Sequence, residues 1–193
     1  MPRKILNIIC LIFFILINLF MGMSKANILE LDKLKKPGIT TQGEKWSFFT
    51  DGVMGGLSEG SAKVSKVDDI QCYQMTGNVT TENNGGFIQI RTLLNPLIKA
   101  NKFSGIYIKI YGNNKNYALH LRTKLTLAPW QYYSYSFIAK KKWLEIKAPF
   151  KNFKKSNFYQ PKKLTNQNIK SIGLVAAFDN FYADVCLAEI GFY

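Results

Sequence analysis

The stretch SGIYIKIYGNNKNYALHLRT, residues 104–123, alternates with a period of two. Ile106, Ile108 and Ile110 fall on one face, against Tyr107, Lys109 and Tyr111. Past the polar GNNKN at 112–116, Tyr117, Leu119 and Leu121 oppose Ala118, His120 and Arg122. Such alternation marks strands with one buried face, and Gly/Asn clusters mark the turns between them. The pattern recurs on both sides. Tyr133, Tyr135 and Phe137 alternate with Ser134 and Ser136, and further runs occupy 60–66, 70–79, 86–92, 143–148, 169–177 and 182–192. ENNGG at 82–86 and Ala128-Pro129 supply breaks. Many short strands with hardly any helical pattern predict an all-β jelly-roll sandwich forming a single domain over residues 46–193. The one helical candidate is ILELDKLKKPG (28–38), stopped by Pro37 and Gly38, so 27–45 reads as a short helix or a linker.

Residues 1–26 begin with Arg3 and Lys4, continue through an apolar run and end in Ser24-Lys25-Ala26. This is the layout of a secretory signal cleaved after Ala26, with an N-terminal membrane anchor as the alternative. The expected location is therefore periplasmic or secreted. Loss of Arg3, Lys4 and Lys25, with no acid among residues 1–26, takes the formal net charge from +14 to +11. Such a surface favours anionic partners, or is simply a solvated lysine-rich exterior. No nucleic-acid-binding motif accompanies the charge, so no nucleic-acid partner is expected. Cys72 and Cys186 remain after export, either as a disulfide or as two buried thiols.

Catalysis needs a nucleophile with a base, paired carboxylates or metal ligands. The single histidine, His120, lies mid-strand without a Ser or Cys motif beside it. Acids number only 12 and fall mostly in turns, so no pattern favours a pair such as Asp51 with Glu59 or Glu145. The GxxGG of DGVMGGLSEG (51–60) lacks the Gly-Lys-Ser/Thr ending of a phosphate loop. Neither a catalytic residue, a cofactor nor a metal is expected.

Two glycine-rich corners stand out instead, DGVMGGLSEG and TENNGGFIQIRT (81–92). Gly52, Gly55, Gly56, Gly85 and Gly86 read as turn residues, with Met54 plugging the core below. Asp51 and Arg91 are expected to pair and hold the corners in register. The competing reading is an open loop-end site presenting Asp51, Asn83, Asn84, Arg91 and Arg122. Trp130 and Tyr132, at a strand start, add rings suited to sugar stacking, protein anchoring or edge-of-core packing. In AKKKWLEIKAPFKNFKKSNFYQPKK (139–163), Lys140, Lys141, Lys142, Lys151, Lys154 and Lys155 interleave with rings. They are either a contact for an anionic membrane surface or a solvated rim around inward-pointing rings, with Phe150 and Phe153 tucked under.

WSFFTDGVMGGLSEG (46–60), NNGGFIQIRT (83–92), YALHLRT (117–123), Pro149-Phe150 with Phe153, and IKSIGLV (169–175) occur in the order that resembles the complex I intermediate-associated protein 30 family. The resemblance runs from about Trp46 to Ile190. It implies a galactose-binding-like β-sandwich and, by the role of mitochondrial members, an assembly or chaperone-like function. The leading expectation is thus a non-catalytic exported module that binds an envelope protein or protein complex. A carbohydrate-binding module using Trp130, Tyr132, Arg91 and Arg122 is the alternative, and an unrecognised hydrolase a minor one.

Overall fold

The computed structural model describes residues 27–193 apart from Thr165; the leader or anchor read at 1–26 lies outside the described residues. The described chain forms β1 (Leu29–Asp32), β2 (Trp46–Thr50), β3 (Glu59–Val67), β4 (Ile70–Val79), β5 (Phe87–Lys99) and β6 (Gly105–Gly112). β7 (Lys115–Thr123), β8 (Tyr133–Ala139), β9 (Leu144–Pro149), β10 (Lys154–Lys155), β11 (Asn168–Ala177) and β12 (Phe181–Phe192) follow. They make two antiparallel sheets: β3-β4-β12-β6-β9, with β1 also on β12, and β10-β8-β7-β11-β5-β2. The fold is the expected jelly-roll sandwich. Ile106, Ile108 and Ile110 of the first sheet meet the core together with Ile88, Ile90, Leu119, Leu121, Ile172 and Leu174 of the second. Period-two patterning fixes these inner faces, because a one-residue slip would turn every apolar side chain to solvent. Phe150 and Phe153 are buried in the same core, as their spacing predicts.

The segment at 28–38 is neither helix nor linker. Leu29 lies opposite Phe192 in a short antiparallel pairing, and Leu31 is buried. Asp32 accepts hydrogen bonds from the Trp46 indole Nε1 (2.7 Å) and the Tyr73 hydroxyl (2.8 Å), locking the added strand to the sandwich. A free sheet edge and two buried donors outweigh local helix propensity, which is worth only tenths of a kcal/mol per residue.

The glycine-rich corner at 51–60 also departs from expectation. Residues Asp51–Met54 form one 3-10 turn, and Asp51 is 0% exposed. Its carboxylate accepts from the Ser58 amide (2.9 Å), the Ser58 hydroxyl, and the amides of Gly86 and Phe87 (3.1 Å). Ser58 Oγ in turn accepts from the Thr80 amide at 3.1 Å. The two glycine-rich corners are therefore joined, but through backbone donors rather than Arg91, which makes no ion pair among the described residues. A Cβ on Gly85 would stand 2.5 Å from Asp51 Oδ2, and one on Gly56 would overlap the same carboxyl group. Both glycines exist to let the backbone reach the acid. Met54 does not plug the core: it is 63% exposed, because the 3-10 turn spends its one buried position on Asp51.

Cys72 and Cys186 form a disulfide between β4 and β12, with Cα atoms 5.4 Å apart. It lies in a separate apolar cluster with Ala188, packed by Val67, Ile70, Tyr111 and Trp143. A bridge over 114 positions contributes up to about 4–5 kcal/mol in the chain-entropy model. Reduction should lower the thermal midpoint of the wild type and leave Cys72→Ala/Cys186→Ala unaffected, as calorimetry with and without reductant will show.

Burial raises the Asp51 pKa, but its hydrogen bonds outweigh that and hold it below the usual carboxylate value. A depressed acid stabilises the fold fully above its unfolded pKa, about 3.9, and loses that contribution as pH falls through the lower folded value. Asp51→Asn, which turns an acceptor into a donor facing amides, should cost about 2–4 kcal/mol at pH 7. The cost should shrink as pH falls below the unfolded carboxylate pKa of about 3.9 in denaturant melts.

Candidate functional site

The outer face of the second sheet carries the polar members of the alternating pattern. One cross-strand row reads Ser47, Arg91, Gly173, His120, Ser134 and Lys154, one residue from each of the six strands. The next row reads Phe49, Gln89, Val175, Ala118 and Ser136. Centre positions are thus small. At a strand spacing of about 4.8 Å, Gly173 separates the Arg91 and His120 backbones by roughly 10 Å, and the Gln89 side chain leans over the glycine, its Oε1 3.4 Å from where a Cβ would stand. Two depressions open on this face, of 480 Å3 beside Ser47, Phe49 and Arg91 and of 260 Å3 beside Ala118, Ser134, Ser136 and Phe178.

Each wall of this trough is built from a ring and a base. The Arg91 guanidinium sits over the Phe49 ring at 4.5 Å. His120 stacks on Tyr132, with centroids 4.0 Å apart and planes 14° apart. Arg122 donates from Nη2 to the Ala128 carbonyl at 2.7 Å, and Lys170 donates to the Thr126 carbonyl at 2.9 Å. His120 Nε2 and Arg122 Nε are shielded from solvent and have no partner in the protein. Burial pushes the His120 pKa down to about 4, so its ring is neutral at pH 7. A neutral imidazole beside a stacked phenol can exchange hydrogen bonds with a hydroxyl-bearing ligand while the ring faces offer apolar contact.

The loop-end set read from the sequence therefore divides. Arg91, Arg122 and Tyr132 share the sheet face. Asp51 is buried and unavailable to a ligand, so it leaves the set. Asn83 and Asn84 are exposed in a 3-10 turn at the β4–β5 corner, both at positive φ. Trp130 is 66% exposed in the β7–β8 loop, where its carbonyl accepts from Ser156 Oγ. The lysines do not form one patch. Lys140, Lys141 and Lys142 precede β9 and Lys151 follows it, and six extended residues hold those ends roughly 20 Å apart. Lys154 is exposed, while Lys155 donates to the carbonyls of Phe158 and Gln160. Sequence reasoning missed Phe49, Lys170 and Gly173. A glycine inside the apolar 169–177 strand was the available signal, since such glycines mark close approach to a strand.

A histidine held neutral by burial destabilises the fold progressively as pH drops from its unfolded pKa of about 6.5 towards the folded value, because protonation is easier in the unfolded chain. The wild-type thermal midpoint should fall between pH 6.5 and 4.5. His120→Gln should flatten that decline, whereas Asp51, depressed below the usual range, stays ionised there.

Comparison with solved structures supports this fold. The family 11 carbohydrate-binding module of a cellulosomal cellulase of Clostridium thermocellum superposes with a TM-score of 0.67 at 18% identity, covering 88% of this chain and 95% of that one. The same organism's family 11 module in complex with a β-1,3-1,4-mixed-linked tetrasaccharide gives 0.66 at 18% identity, covering 88% and 96%. Both are galactose-binding-like β-sandwiches, the class this chain shares. No curated protein matches the chain. The model of the family described as Complex I intermediate-associated protein 30 (CIA30) matches residues 35–188, most of its length. The chain belongs to the CIA30 family.

Proposed function

We propose that this protein is an exported, non-catalytic carbohydrate-binding module whose site is the outer face of the second sheet. The carrying observation is the His120–Tyr132 stack beside a floor of small side chains, with His120 Nε2 shielded and unpartnered. A sugar offers this face hydroxyls for the Arg91 guanidinium and for Ser47 and Ser134, and C–H faces for the rings. The likeness in fold to modules that include one crystallised with a tetrasaccharide supports the reading. The disulfide supports an oxidising compartment, in keeping with the apolar start of the chain. The central rows of this face offer cations, hydroxyls and a neutral imidazole, and its two depressions are lined by one acid each, Glu44 and Asp179. They suit holding a glycan rather than cleaving one, which takes a pair of carboxylates.

A second reading, protein contact in the manner of an assembly factor, is supported by the family match and by a separate surface. Leu127, Trp130, Phe158 and Tyr159 are all exposed on two loops tied together by the Ser156–Trp130 hydrogen bond. Exposed aromatic anchors of this kind are typical of protein interfaces.

Affinity electrophoresis against soluble glucans, galactans, xylans and uronate polymers tests the first reading. Tyr132→Ala removes a stack worth roughly 1 kcal/mol beyond its contact area, so retention should weaken about 5–10-fold. His120→Ala should act in the same direction, while Trp130→Ala leaves retention unchanged. Failure of every glycan to retard the wild type would remove this reading and leave protein contact through the loops.

A further inference from the structure

The trough carries a charge pattern that a neutral sugar would leave unanswered. Arg91 makes no hydrogen bond or ion pair among the described residues and rests only on the Phe49 ring. Arg122 satisfies Nη2 on a backbone carbonyl, but its shielded Nε has no acceptor. Lys170 reaches one carbonyl and no acid. Ion pairs among the described residues are confined to Lys33 and Lys35 with Glu30 and Glu189, on β1 and β12 of the other sheet. Glu44 lines the depression at Arg91 and makes no ion pair among the described residues. Asp51, the acid closest in sequence to Phe49, is consumed by Ser58, Gly86 and Phe87.

These cations also act on one another. Burial holds the Arg122 pKa below the ordinary arginine value, and the Arg91 charge lowers it further. Burial, then Arg122 and then Arg91, lower that of Lys170. Three partly desolvated like charges on one face raise the energy of the empty site, and an incoming anion relieves it. A surface lysine in full solvent gains little from such an anion, whereas a guanidinium already stripped of water by its neighbours loses less on binding it.

We infer that the ligand of the trough is an acidic glycan, a chain bearing uronic-acid carboxylates. Arg91, without an ion pair among the described residues, receives the carboxylate, and the His120–Tyr132 wall takes the sugar ring. This inference rests on the carbohydrate reading of the same face and adds the charge of the sugar. A carboxylate suits the site because the planar guanidinium donates to its two oxygens side by side. Gly173 lets Gln89 and Arg91 close over the strand, which holds the Arg91 side chain in place. The nearest atoms to a Cβ placed there are the Ile90 carbonyl oxygen at 3.1 Å, Gln89 Oε1 at 3.4 Å and Arg91 Cβ at 3.6 Å, so a side chain at 173 would crowd the base of Arg91.

The experiment is titration calorimetry at 0.15 M salt with a short oligogalacturonate, and with the same oligosaccharide after its carboxylates are reduced to primary alcohols. Short ligands and physiological salt suppress the unspecific attraction that a strongly basic protein has for polyanions. The acid form should bind at least 10-fold more tightly than the reduced form. Arg91→Gln, a side chain with no hydrogen bond to lose, should abolish that difference without lowering the thermal midpoint, and Arg91→Lys should recover part of it. Lys140→Gln/Lys141→Gln, outside the trough, should leave it intact. Equal binding of acid and reduced forms overturns the acidic specificity while leaving a glycan site. Loss of the preference in the Lys140/Lys141 variant overturns it too, by showing diffuse attraction. Binding of neither form, together with failure of other glycans, removes the carbohydrate reading itself.

Discussion

The buried carboxylate of Asp51 governs this molecule. One acid with no solvent exposure takes hydrogen bonds from Ser58, Gly86 and Phe87, and through Ser58 reaches the end of β4 at Thr80. It thereby joins the β2–β3 corner to the β4–β5 corner. β2 and β5 leave these corners side by side, with Ser47 opposite Arg91 and Phe49 opposite Gln89. The Phe49–Arg91 wall of the trough is thus set by an acid that never meets a ligand. A buried carboxylate is tolerated only when donors replace its water, and backbone amides at a glycine corner do this without adding side-chain bulk.

That arrangement has an electrostatic consequence on the far side of the same strands. Because Ser58 and two backbone amides hold the Asp51 carboxylate, Arg91 keeps no counter-charge among the described residues and rests over Phe49, where Arg122 and Lys170 feel it across the sheet. Had the acid and the arginine paired, the corner would still be pinned, but one wall of the trough would be silent. Satisfaction inside and frustration outside follow from one choice of partner.

Much of this was legible in the sequence, and the exceptions share a cause. Alternation at Ile106–Ile110 and Tyr117–Leu121 gave strand identity and inner faces, because burial of one sheet face leaves a period of two. The glycines beside Asp51 were recognisable as a corner, and that the two corners meet was readable. The acid's partner was not, because charge attraction was weighed against unseen amide geometry. Residues 28–38 misled because a strand added to an edge is decided by the open side of β12, more than 150 residues away. The trough was half visible. His120 and Arg122 plainly share a face, but β11 lies between β5 and β7 only in the folded sheet, so nothing local places Gly173 between Arg91 and His120.

The family match and the likeness in fold support different proposed partners, and each proposal rests on its own surface. The trough is a sheet face of small residues walled by rings and bases, rigid because every strand beneath it is paired on both sides except at β2 and β10. The exposed rings at Trp130, Phe158 and Tyr159 stand on loops, held by side-chain hydrogen bonds from Ser156 and Gln160 rather than by a ladder. A ligand read by stacking and by single hydrogen bonds needs the first kind of surface, since a shift of an ångström loses the contact. A protein partner tolerates the second, because its anchors can settle as the interface closes. Fold alone does not choose between them, since one sandwich can carry both. The uncompensated charge gathers on the rigid face, where desolvation makes it count for most.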